Sequence, residues 1–197
     1  MPRKYSMERR NAAIDETRQR IVDATVELHN EKGVVATSMQ DIAARAGVAL
    51  GTVYRHFPSL DELIPACGGR NLELLPPPSH DVFGDIEDGP ARLHALFEPL
   101  YEHYEAAQRP YFVGSAEAEH VPVLRQFMQE GAAYIRSLVI EAVRPMSPTE
   151  LGLGLAIVMA DFRTWHAFHD AGFTSRTAAE TATQIVVAQL ERERSGT

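Results

Sequence analysis

The residues whose types and spacing could do chemistry lie between Thr37 and Leu63, in the run TSMQDIAARAGVALGTVYRHFPSLDEL. The chemistry they suit is the non-covalent reading of DNA. Thr37 starts a T-x-x-Q pattern in which its oxygen can accept from a free amide and Gln40 can reach back, so a helix opens there. Met39, Ile42, Ala43 and Ala46 give that helix one apolar face. Ala46-Gly47-Val48 reads as a tight turn, because glycine tolerates the backbone angles of a sharp corner. A second helix follows at once, over about residues 49–57, and Pro58 stops it. Two helices of this length joined this way form a helix-turn-helix. The major groove of B-form DNA, ~12 Å wide, admits one α-helix while the preceding helix crosses the backbone. Residues 49–56 are therefore the expected recognition helix.

Other elements must hold this pair. Ile14, Ile21, Ala24, Thr25 and Leu28 recur at three- and four-residue steps, which predicts an amphipathic helix over residues 15–30, closed by Gly33. Ser59-x-x-Glu62 is a second capping box and opens a fourth helix, which Gly68-Gly69 should bend or end. Pro76-Pro77-Pro78 and the following SHDVFGDIEDGP are rich in breakers and mark a boundary. The expected organisation is a basic N-terminal arm (1–14), a DNA-binding domain (15–75), a linker (76–89) and a larger domain (90–197). Beyond residue 89 only helical patterns occur, over roughly 90–107, 110–118, 121–143, 148–171 and 174–193. The fold class is all-α: an N-terminal three-helix helix-turn-helix domain plus a C-terminal helical domain, about nine helices in total.

Composition is consistent with this division. Apolar residues make up 45% and charged residues 23% of the 197, a folded rather than disordered balance. The net charge of −8 argues against nucleic acid only if it is spread evenly, and it is not. Residues 1–60 hold nine of the 19 lysines and arginines and are net positive, whereas the remainder is strongly acidic. That asymmetry suits a chain of which one end meets a polyanion. There is no run of ~18 apolar residues and no secretory signal, so no membrane is expected and the cytoplasm is the expected location. A lone cysteine, Cys67, excludes an intrachain disulfide framework and reads as a small apolar helix residue.

The segment from Asp41 to Phe57, D-I-A-x-x-A-G-V-x-x-G-T-x-Y-x-H-F, resembles the DNA-binding signature of TetR-family regulators. The likeness covers about 60 residues; the rest of the chain resembles the family in length and helix pattern. It implies a homodimer on a palindromic double-stranded operator, with a small-molecule effector pocket in the C-terminal domain. It also implies that Gly51 lets the recognition helix approach the backbone, that Thr52 and Tyr54 contact phosphate or base edges, and that His56 neighbours a phosphate. Thr37 or Ser38, with Gln40, would touch the strand from the start of the preceding helix. Arg55 projects away from Thr52 and is either a phosphate contact or solvated surface. The sequence departs from the pattern at Leu50, which could meet a thymine methyl, and at Leu60, which cannot replace a phosphate contact. Arg3, Lys4, Arg9 and Arg10 either reach phosphates or an adjacent minor groove, or form a solvated tail.

In the second domain, Phe162, Trp165, His166, His169 and Phe173 form one aromatic stripe, and Tyr101, His103, Tyr104, Tyr111 and Phe112 another, with Phe127 and Tyr134 beside them. Tyr101, Tyr104, Phe112, Phe127, Phe162, Trp165, His166 and His169 are the expected effector-binding residues, suited to an uncharged or planar aromatic molecule. Ordinary core packing is the alternative for each. The stretch 148–171 is apolar nearly all round and 174–193 is rich in small residues, so these last two helices are expected to pair with their symmetry mates, with Gly152-x-Gly154 as a close-packing point. His166 and His169 lack further ligands of matching spacing, so no metal or cofactor is expected. No nucleophile elbow, phosphate loop, dinucleotide fingerprint or HExxH is present, which argues against an enzyme. The expected mechanism is a population shift, with helix four as lever, that moves two recognition helices to a wrong separation. An activator or effector-independent regulator with the same DNA-binding domain is the rival.

Overall fold

The computed structural model describes residues 2–195, with the side chains of residues 1–6, 8 and 9 outside the described set. Among the described residues ten α-helices run in the order α1 (Pro2–Lys32), α2 (Met39–Ala46), α3 (Leu50–His56), α4 (Leu60–Leu74), α5 (Gly89–Ala106), α6 (Gln108–Glu117), α7 (Pro122–Val143), α8 (Glu150–Met159), α9 (Phe162–Asp170) and α10 (Ser175–Ser195). Short 3-10 turns lie at His80–Phe83 and Arg144–Met146. No described residue is in a strand, and among the described residues no helix is long and apolar enough to cross a membrane.

The chain folds as two compact units. The first contains residues up to Leu74 together with Phe112–Met128, and the second contains Leu75–Tyr111 and Gln129 onward. The expected boundary near residue 75 assigned 90–197 to the second domain as one block, whereas the end of α6 and the start of α7 pack with the first.

In the first unit Ile21, Val22, Ala24 and Leu28 of α1 meet Ile42, Ala43 and Ala46 of α2, with Val53, Phe57 and Leu63. Thr25 is fully buried with its hydroxyl satisfied, donating to the Ile21 carbonyl at 2.7 Å. Helix α1 reaches back to Pro2, so residues 2–14 continue its backbone and do not form a separate extended arm, and Ile14 is 44% exposed, outside the core stripe. A second cluster joins Val34, Ile64 and Leu124, backed by Val113, Val121, Val123 and Met128. Helix α4 continues through Gly68-Gly69 to Leu74 and does not end at the glycines. The two glycines differ in kind: a Cβ on Gly68 would run into the Phe127 ring, whereas one on Gly69 would meet nothing within 4 Å. Gly68→Ala should therefore destabilise by roughly 1 kcal/mol, overpacking outweighing the helix-propensity gain. Gly69→Ala should stabilise by up to about 1 kcal/mol. Urea melts of the two variants check this, and equal signs would contradict the packing.

In the second unit α5 is central. Leu93, Leu96, Phe97, Leu100 and Tyr101 are fully buried against Leu138 and Val139 of α7 and Ala179, Ala182 and Val186 of α10. Residues 76–89, expected as a linker, are pinned to this unit. Phe83 is buried, the Arg92 guanidinium stacks 4.3 Å above its ring, and Arg92 donates to the Ile86 carbonyl at 2.7 Å and to Glu141 at 3.3 Å. Tyr134 donates to the Pro78 carbonyl at 3.1 Å.

The single helix expected over 148–171 is broken into α8 and α9 at Ala160-Asp161. Asp161 caps α9 by accepting from the Arg163 amide at 2.8 Å. The carbonyls beside the break are taken up by side chains: Thr164 donates to Val158 at 2.6 Å, Tyr101 to Met159 at 2.6 Å and Tyr104 to Ala160 at 2.8 Å. Without the two tyrosines the Met159 and Ala160 carbonyls, at the break in the helix, would lose these partners.

Candidate DNA-binding interface and aromatic cluster

Helix α2 begins one residue later than the T-x-x-Q pattern suggests. Ser38 is the N-cap, its Oγ accepting from the Asp41 amide at 3.1 Å, while the Asp41 carboxylate accepts from the Ser38 amide at 3.0 Å. Lys32 donates to the same carboxylate at 2.7 Å. The Lys32 hydrogen bond foremost, then those from Ser38, holds the Asp41 carboxyl well below the usual range. Thr37 is buried instead, its hydroxyl donating to the Gly33 carbonyl at 2.6 Å. The turn is as the sequence implies: Gly47 has φ 65°, and its amide returns to the carbonyls of Ala43 and Ala44. What the sequence reading missed is the clamp on that turn, where Arg20 of α1 donates to the carbonyls of Ala46 at 2.5 Å and Gly47 at 3.1 Å. No local pattern announces it, since the partners are 26 and 27 residues apart.

Helix α3 presents Gly51, Tyr54 and Arg55 to solvent, with Thr52 and His56 half-buried. Ser38 and Gln40 are exposed at the start of α2. A Cβ on Gly51 would meet nothing within 4 Å, so the backbone there is open to close approach from outside the protein. Arg55 does not point away from Thr52: its guanidinium lies 3.5 Å from the Thr52 hydroxyl, as i, i+3 neighbours on one helical face can. Leu50 is half-buried and packs against the first unit's core, which leaves only part of it for a base methyl. Leu60 is 40% exposed. Much of the basic charge counted in the sequence is used internally. Arg45 pairs with Glu27 at 3.0 Å and Glu31 at 2.7 Å, and Lys32 pairs with Asp41. Arg18 lies 4.7 Å over the Phe57 ring. The side chains of Arg3, Lys4 and Arg9 lie outside the described residues.

Six of the eight expected effector residues fall in the second unit. Tyr101, Tyr104, Phe162 and Trp165 are buried, His166 is half-buried and His169 is exposed. Tyr111 stacks on Phe162 with centroids 4.8 Å apart, Tyr104 stands edge-on to both, and His169 stacks on Trp165 at 5.3 Å. Trp165 donates its indole N–H to Ser175 at 3.1 Å, and Ser175 donates to Glu105 at 2.6 Å. Burial pushes the Tyr111 phenol up to about 12 and raises Tyr101 and Tyr104 as well, so all three are neutral at any physiological pH. Phe112 and Phe127 lie in the other unit, the first, Phe112 being 41% exposed and Phe127 lying against Gly68. His166 lies 3.2 Å from Asp170, and its ring is 6.4 Å from that of His169.

A capped helix, a glycine-cornered turn and a second short helix with an open outer face define a helix-turn-helix DNA-binding protein joined to a second all-helical unit. The family model for bacterial regulatory proteins of the tetR family matches residues 21–67. The HTH-type transcriptional repressor KstR of Rhodococcus jostii is 30% identical over 175 residues, covering 83% of this chain and 76% of that protein. The HTH-type transcriptional repressor Rv3405c of Mycobacterium tuberculosis is 44% identical over 152 residues, covering 74% of this chain and 69% of its own. A transcriptional regulator from Rhodococcus sp. RHA1 shares the fold at a TM-score of 0.67 and 22% identity, over 89% of this chain and 96% of its own. The chain belongs to the TetR family of DNA-binding transcriptional regulators.

Proposed function

We propose that this protein is a homodimeric repressor that holds a palindromic operator through Ser38, Gln40, Gly51, Thr52, Tyr54 and Arg55, and leaves it when an apolar aromatic molecule binds the second unit. The observation that carries the DNA part is the outer face of α3, where Gly51, Tyr54 and Arg55 are exposed while Val53 and Phe57 are buried behind them. A helix sharing its buried face with a core and leaving a polar face open is what a major groove accepts. Leu50, His56 and Thr37 play smaller parts, the first two half-buried and Thr37 tied to Gly33. A regulator of this kind acts in the cytoplasm and carries out no bond chemistry.

The dimer reading rests on α8 and α10. Leu151 is 68% and Val158 54% exposed on α8, and Ile185 is 39% exposed on α10. The two glycines of α8 have separate uses: a Cβ on Gly152 would strike Leu190 of the same chain, whereas Gly154 faces open space that a second copy could enter closely. The effector reading rests on the cluster of Tyr101, Tyr104, Phe162, Trp165, His166 and His169. A planar ligand would have to part the Tyr111–Phe162 stack to enter it, and the ligand-bound state would be a minor conformer of the free protein.

Tyr54→Ala and Thr52→Ala should each weaken operator binding roughly tenfold or more while leaving thermal stability unchanged, because each removes a DNA contact worth about 1–3 kcal/mol from a solvent-facing helix. Fluorescence anisotropy with a labelled operator checks this. Unchanged affinity in both variants would refute the assigned face. Trp165, the sole tryptophan, reports ligand entry directly: compounds that displace the operator should also change its emission.

A further inference from the structure

The turn between α1 and α2 is shaped by a residue far away in sequence. Gly33 has φ 91°, and the amides of Val34 and Val35 that follow converge on one point. Successive amides after a left-handed residue make a concavity that binds an anion. Here the anion is internal: Oε2 of Glu117, the last residue of α6, accepts from Val34 at 2.6 Å and from Val35 at 3.0 Å. A Cβ on Gly33 would collide with the same carboxylate, so only glycine admits it. The corner carrying Glu117 is itself tied, since Arg125 of α7 donates to the carbonyls of Ala118 at 3.1 Å and Glu119 at 2.6 Å. On the other side of the turn, Thr37 returns to Gly33 and Val34, and the next residue is the α2 N-cap Ser38.

We propose that Glu117 is a positioning residue for operator binding, which sets the α1–α2 turn and through it the placement of Ser38 and Gln40 at the DNA. The inference rests on the reading of this face as the DNA interface. Val34 is almost fully buried, so removing the carboxylate takes from its amide the acceptor that the fold supplies.

The test uses the whole 197-residue chain. Amide hydrogen exchange at Val34 and Val35 is followed alongside operator anisotropy, for wild type, Glu117→Ala and Glu117→Gln. In the wild type both amides should be protected. Glu117→Ala should lose that protection and bind operator roughly tenfold more weakly, and Glu117→Gln, which keeps an acceptor oxygen, should restore most of both. Fast exchange at both amides in the wild type overturns the inference even if Glu117→Ala does not fold. So does Glu117→Ala losing protection with operator affinity unchanged, and so does Glu117→Gln behaving like Glu117→Ala in a folded protein. A wild type that binds no DNA instead defeats the functional reading, and the inference with it.

Discussion

Trp165→Ala should cost roughly 3–5 kcal/mol of unfolding free energy, the range for emptying a large aromatic side chain from a packed core. Trp165 is 1% exposed, in ring contact with Tyr104, Phe162, His166 and His169, and its indole N–H is taken up by Ser175. Truncation would empty the centre of the second unit and leave the Ser175 hydroxyl without its donor. Trp165→Phe should cost less, since it keeps most of the contact and forfeits one buried hydrogen bond. Urea denaturation at a fixed protomer concentration separates the two variants. A loss below about 1 kcal/mol for Trp165→Ala would mean that the cluster is loosely packed, outside the range of such truncations.

Acid should unfold the first unit through His29. Burial, opposed in part by the nearby Glu117 carboxylate, lowers the His29 imidazole from 6.5 to about 4. The ring is 6% exposed, its Nδ1 lies 3.5 Å from Cys67 Sγ, and its Nε2 is buried without a hydrogen-bond partner. The folded state therefore holds the neutral ring. Above pH 6.5 both folded and unfolded His29 are neutral and its contribution is intact. As the pH falls from 6.5 towards 4 the unfolded chain binds a proton that the folded chain refuses, and stability drops by about 3 kcal/mol, most of it by pH 4.5. Burial likewise pushes the Cys67 thiol up to about 12, so this neighbour stays neutral throughout. Urea denaturation at pH 7.5 and 4.5 should show the loss in wild type and a much smaller one in His29→Gln. Equal slopes with pH in the two proteins would contradict the assignment.

The helix-turn-helix was legible in the sequence because its signals are local: Gly47 at the corner, Pro58 at the end, and apolar Ile42, Ala43, Ala46 and Val53 at helical spacing. The cap was displaced by one residue because Ser38-x-x-Asp41 overlaps Thr37-x-x-Gln40. The carboxylate wins by also accepting from Lys32, nine residues upstream. The break between α8 and α9 was hidden for a related reason. Nothing in Met159-Ala160-Asp161 forbids a continuous helix, and the tyrosines that satisfy the freed carbonyls lie 56 to 58 residues earlier. Residues 112–128 looked like part of the second domain because helical periodicity says which face is apolar and not which core it meets. Gly68 and Glu117 supply that information, and neither carries an apolar signal. The aromatic stripes were legible as stripes, but that Phe112 and Phe127 belong to the first unit required knowing where the units divide.

The measurement that tests the central claim most directly is anisotropy of the DNA flanking the protein's own coding region, titrated with wild-type protein at 50 and 200 mM salt. The account predicts saturable, sequence-specific binding that weakens roughly 100-fold over that range, as release of counterions from about four phosphates requires. Binding that is absent at 50 mM salt, or equally tight on unrelated DNA, would contradict it.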